Sequence, residues 1–197
     1  NSIYANATAN GGNNVGGANI DYPKVGNYGG ALPIDGAFGI SIFYDTAAGN
    51  MPYAIVTGQV SDAFQIFSLN DTEKGLVPFA NYTMAAAANK YTTAGGFTLL
   101  DSPTGVATWN TTNADTDRWA IITSNYTDSV TVVSLADPSN TTVTDTLVQN
   151  SLLSLDGALR VEVSKIGDRH YAFVTSNGTA STTGSATHVE SGGLQVI

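Results

Sequence analysis

No cysteine occurs in the 197 residues, which excludes a disulfide-stapled scaffold, a cysteine-based zinc site and a thiol nucleophile. Charge is scarce too. Asp, Glu, Lys and Arg make up 12% of the chain, against about 25% in an average soluble domain. Basic residues are the rarer sign, 7 against 16 acidic, for a net charge of −9. Such a chain repels phosphate backbones and anionic lipid, so nucleic acid and acidic membrane are poor partners and no nucleic acid is expected. No apolar run approaches the roughly 20 residues of a membrane helix, so membrane insertion is not expected. Helix-forming stretches are nearly missing as well. Met84 to Lys90, with four consecutive alanines, is the one plausible helical turn.

What is present is strand chemistry. From Ala37 onward the apolar period is close to two and β-branched residues dominate. Three segments line up with one another: Pro52–Gly58, Arg118–Ser124 and His170–Ser176. From their second residue, each reads aromatic, Ala, two apolar residues, Thr, then a small residue. Each is followed by a second apolar strand, Phe64–Leu69, Val130–Leu135 and Leu194–Ile197. The step from Tyr53 to Phe64 and from Trp119 to Val130 is 11 residues both times. From Tyr171 to Leu194 it is 23, because a Ser/Thr/Gly-rich insertion of 12 lengthens the third hairpin. A strand precedes each pair (Ala37–Tyr44, Gly105–Asn110, Ala158–Ser164), and a fourth follows the first two (Leu76–Thr83, Thr141–Val148).

Four antiparallel strands recurring every 52 to 66 residues describe an all-β, propeller-like blade. The alternative is a sandwich with a coincidental repeat. The expected blades span about 37–90, 97–150 and 156–197, the last incomplete. Residues 1–36, rich in Asn and Gly, form an extended arm that is either loosely draped or docked on a neighbouring copy through Ile20, Tyr22, Val25 and Tyr28. The chain begins on Asn1 and stops inside an apolar alternation, so it reads as a segment of a longer polypeptide.

The Tyr-Ala-Φ-Val-Thr segment at 171–175, the Gly193-Leu194-Gln195-Val196-Ile197 ending and Leu135-Ala136-Asp137-Pro138-Ser139 after a second strand together resemble the LVIVD-type repeats of secreted β-propellers. The resemblance covers about residues 37–197 in three copies. It departs at Leu69-Asn70-Asp71-Thr72, where the family places Asp-Pro, and in its irregular spacing. It implies a secreted or cell-surface propeller and no particular reaction.

Asn-x-Thr occurs at Asn6, Asn70, Asn81, Asn110, Asn125, Asn140 and Asn177, which predicts N-linked glycans and an extracellular location. Glycans also account for how so uncharged a chain stays in solution. Asn113, Asp115 and Asp117 alternate as oxygen donors for calcium, with an ordinary solvated turn as the rival reading. No cofactor is required.

Catalytic chemistry is poorly represented. The two histidines, His170 and His188, lack a Gly-x-Ser-x-Gly elbow to serve, and a metal site with Glu190 would need geometry the sequence does not show. Paired carboxylates for glycoside hydrolysis would have to come from the Asp residues and Glu73, Glu162 and Glu190. Trp109 and Trp119 suit blade packing better than sugar stacking. No catalytic residue is assigned.

In the expected packing, Tyr53, Ile55, Trp119, Ile121, Tyr171 and Phe173 fill the spaces between blades. Three blades leave two raw faces, so the chain is expected to be a structural or adhesive subunit that joins copies of itself head to tail. The rival readings are a propeller hydrolase and a sugar- or peptide-binding propeller, each with its site in blades not contained in these residues.

Overall fold

The computed structural model describes residues 35–45, 49–69, 100–111, 117–150, 152–178 and 193–197, and the backbone of 77–83. Its eleven strands are β1 (Ala37–Asp45), β2 (Met51–Gly58), β3 (Ala63–Ser68), β4 (Val77–Thr83), β5 (Pro103–Asn110), β6 (Arg118–Ser124), β7 (Ser129–Ser134), β8 (Thr142–Val148), β9 (Ala158–Ile166), β10 (Arg169–Ser176) and β11 (Gly193–Val196). They form three antiparallel sheets, β1-β2-β3-β4, β5-β6-β7-β8 and β9-β10-β11, each a blade in which consecutive strands are neighbours. The expected strands are present with ends shifted by two residues or fewer. The helical turn expected at Met84–Lys90 and the arm contacts Ile20, Tyr22, Val25 and Tyr28 lie outside the described residues.

The blades stack in chain order. Strand β1 lies against β5 and β5 against β9, so the first strands of all three blades share one axis. Because side chains alternate across a strand, each blade has a forward and a rear face. Tyr53, Ile55, Phe64 and Ile66 look forward from the first blade onto Val106, Ala120, Ile122 and Val133 of the second, with the Phe43 and Tyr53 rings stacked 5.4 Å apart. Ala107, Ile121 and Val130 look forward from the second blade onto Val161, Ala172 and Val174 of the third. Both joints bury clusters of apolar side chains, so burial across them is the main force holding the stack together.

The entrance to each blade is the same turn. Asp35-Gly36, Asp101-Ser102 and Asp156-Gly157 precede the first strands, and the second residue has φ of 67°, 54° and 63°. The carbonyl of that residue accepts the backbone N–H of Gln59, Asn125 or Asn177 at 3.0–3.1 Å. The start of the first strand is thereby clamped to the end of the second. Glycine adopts this left-handed backbone freely and Ser102 does so at a cost.

Candidate functional site

Three devices fasten one blade to the next; two reach forward to the following blade and the third reaches back to the preceding one. The first is a threonine at the last-but-one position of each second strand. Thr57 Oγ1 accepts the Gly39 N–H at 2.8 Å and donates to the Thr104 carbonyl of the next blade at 2.7 Å. Its repeat partner Thr123 accepts the Gly105 N–H at 2.7 Å and meets Thr104 Oγ1 at 3.0 Å; Thr104 Oγ1 donates in turn to the Ala158 carbonyl of the third blade at 3.1 Å. These buried hydroxyls satisfy backbone groups that the ladders leave over beside Gly39 and Gly105, where the register slips.

The second device is a carboxylate latch. Asp62 and Asp128 sit in the turns before β3 and β7 with φ of 51° and 49°. Asp62 Oδ1 accepts the Ser102 N–H at 2.8 Å, and Asp128 Oδ1 accepts the Gly157 N–H at 2.8 Å, in each case the entrance turn of the following blade. Burial holds the Asp128 carboxyl above the usual range; the Gly157 N–H works against that, and the charge of nearby Asp156 adds to it. A raised folded-state pKa makes ionisation oppose folding. The joint is therefore firmest below the unfolded-state pKa and loosens as pH rises through the folded-state value. Asp128→Asn retains an acceptor for Gly157 and gains a donor for Asp156. It is expected to raise the melting temperature at pH 7 by about 1–3 °C, a small effect because the group is partly solvated, and the gain should vanish near pH 3. Thermal melts of both proteins at the two pH values check this.

The third device is Arg118, 2% exposed at the head of β6. Its Nη1 donates to Asp45 Oδ1 at 2.8 Å and to the Tyr44 carbonyl at 3.1 Å, both in the first blade. Nε and Nη2 reach the Leu135 and Ala136 carbonyls of its own blade at 3.3 and 3.1 Å. Beside this pair the Tyr53 hydroxyl is held above its usual pKa, first by burial and then by the Asp45 charge, with Arg118 opposing.

At the two ends of the stack the equivalent faces are uncovered. Phe38, Ile40, Ile42 and Tyr44 form an exposed rear stripe on the first blade, with Ile40 at 64%. On the third blade Tyr171, Phe173, Thr175, Leu194 and Val196 share the forward face. Tyr171 and Phe173 thus stand where Tyr53, Ile55, Trp119 and Ile121 do, but with no fourth blade among the described residues to meet them. The first strands of the three blades also border an axial hollow of about 450 Å³.

The other residues singled out in the sequence are dispersed. Asn110, Asn140 and Asn177 are exposed. Asn125 is 8% exposed, and its amide donates to Asn177 Oδ1 at 3.4 Å, so this fold offers a glycan no free amide there. Asn81 pairs with Gln65 in the β3–β4 ladder. Asn6, Asn70, Asn113, Asp115, Glu73, His188 and Glu190 lie outside the described residues. Asp117 is half-buried, at the edge of the calcium candidate, and no metal-binding group of three side chains occurs among the described residues. His170 occupies the position that Arg118 holds in the second blade, and Glu162 is exposed on the forward face of β9. Trp109 and Trp119 are opposite one another in the β5–β6 ladder, half-buried toward the third blade.

No family model and no curated protein matches the sequence. Solved structures that do match include a functionally unknown protein from Desulfotomaculum acetoxidans DSM 771, with 16% identity and a TM-score of 0.46 over 72% of this chain and 38% of that one. Another is a protein from Bacteroides uniformis ATCC 8492 described as a candidate 6-phosphogluconolactonase, with 10% identity and a TM-score of 0.47 over 81% of this chain and 36% of that one. The chain spans less than two-fifths of the length of either. The assignment to an all-β array of propeller-like blades rests on its own sheet order and stacking.

Proposed function

We propose that this chain is an extracellular, N-glycosylated structural or adhesive protein, a subunit that joins copies of itself head to tail through its two uncovered blade faces. The carrying observation is directional. The threonine and carboxylate fastenings between the first and second blades recur between the second and third, and the third blade presents the same forward threonine and apolar positions with no blade on them among the described residues. A face of that kind fits the rear of a blade, and the rear of the first blade is open. Such a contact is heterologous and extends until it closes or runs out of subunits. The low charge and the Asn-x-Thr density support the glycosylated, secreted part of the reading, and the motifs at 171–175 and 193–197 support descent from LVIVD-type repeats. The role is structural, not catalytic.

Opposite faces make a specific test possible. Ile42→Lys places a charge on the rear face of the first blade, and Val196→Lys places one on the forward face of the third. Sedimentation velocity should show the unaltered chain growing with concentration and each variant remaining a monomer. An equimolar mixture of the two variants should stop at dimers, because one intact face survives on each. An unaltered chain that stays monomeric across the concentration range would remove the proposal.

A further inference from the structure

The axial hollow has a chemistry of its own, although Phe38, Ile40, Phe173, Thr175 and Leu194 of its lining also belong to the two uncovered faces. Its walls are the first strands of the three blades together with Phe173, Thr175 and Leu194. At about 450 Å³ it falls within the roughly 300–1,000 Å³ range of small-molecule sites. The repeat register shows what is peculiar about it. Gly39 faces Thr57 and Gly105 faces Thr123, whereas the residue facing Thr175 is Arg160. The two glycines are required because the next blade's backbone lies where a Cβ would stand. All three positions border the hollow, and a large cation stands only at the one that no following blade covers among the described residues.

Arg160 places its guanidinium over the Phe38 ring, 5.6 Å from the centroid, so it spans from the third blade to the first. It has no ion-pair partner among the described residues, although the chain carries a net charge of −9. Glu162, two residues along on the same face of β9, has none either. These two are the hollow's charged lining residues; its remaining side chains are apolar or threonine. Thr175, whose counterparts at 57 and 123 are buried and bonded, is exposed beside them.

The complement of this wall is one anion, one cation and an apolar body. We propose that the hollow binds a small zwitterion of that form, the class of a free apolar amino acid. The carboxylate lies on Arg160, whose planar fork donates two parallel hydrogen bonds to it. The ammonium group lies on Glu162 with the Thr175 hydroxyl as a further partner. The side chain rests against Ile40, Phe173 and Leu194.

Titration calorimetry of the full chain with leucine tests the assignment, with leucinamide and N-acetyl-leucine as probes that each lack one charge. Leucine should bind saturably at one site per chain. Each single-charge probe should bind at least about tenfold more weakly, the usual scale of a charge-assisted hydrogen bond. Arg160→Gly installs the residue its sister blades carry, so the fold should survive by thermal melt while leucine binding is lost. Glu162→Gln should weaken leucine and leave N-acetyl-leucine unchanged. The proposal is overturned by no saturable heat with leucine up to about 10 mM, by unchanged binding in Arg160→Gly, or by N-acetyl-leucine binding as tightly as leucine.

Discussion

Arg118→Ala is expected to lower stability by about 3–5 kcal/mol, the range seen when one partner of a buried ion pair is removed. For a chain of this size that corresponds to a fall of about 10–15 °C in melting temperature. Three effects add. Asp45 loses the guanidinium at 2.8 Å, the carbonyls of Tyr44, Leu135 and Ala136 lose a buried donor, and a cavity opens at the joint. Arg118→Lys should recover only part of the loss, because a single ammonium does not span four acceptors in two blades. A chemical denaturation series on the three proteins measures this. A loss under 1 kcal/mol for the alanine variant would mean that Arg118 is not what fastens the first blade to the second.

The second large effect concerns the glycines under the joints. A Cβ on Gly105 would lie 2.8 Å from Arg160 Cα and 2.9 Å from Val161 N, and one on Gly39 would press into the Thr104 carbonyl oxygen. These obstacles are backbone, which does not step aside as a flexible side chain does. Gly39→Ala and Gly105→Ala are therefore expected to cost about 3 kcal/mol each, the upper end of the usual overpacking penalty. Gly193→Ala is the matched comparison. Its Cβ would meet only the Ser154 hydroxyl at 3.2 Å, so the change should cost less than about 1 kcal/mol. Equal melting temperatures for all three variants would contradict the close approach of the blades at the axis.

The strands and their pairing were legible because the repeat displays them. An aromatic residue, Ala, two apolar residues and Thr recur at 53–57, 119–123 and 171–175, and the period-two pattern announces which side chains share a face. The threonine was visible in that repeat, but its task was not. That Thr57 serves Gly39 and the next blade's backbone depends on how closely two sheets approach. Arg118 was hidden for the opposite reason. Its counterparts are Pro52 and His170, so nothing periodic marks it, and a charged residue at a strand end reads as a solvated one. A usable signal for the entrance turn that the latch grips was present: Asp-Gly or Asp-Ser stands before every first strand, at 35–36, 101–102 and 156–157. The same comparison would have shown Arg160 breaking the glycine pattern, but only once Gly39 and Gly105 were placed opposite Thr57 and Thr123. Glycosylation was inferred from a local tripeptide, which contains no information on burial, and Asn125 lies at a turn where the second and third blades meet.

The most direct measurement of the central claim is electron microscopy of the purified chain without crosslinker, over a range of concentrations. Head-to-tail joining of blade faces predicts rods or rings whose repeat is one chain, lengthening as concentration rises. Discrete compact particles of constant size at every concentration would contradict it.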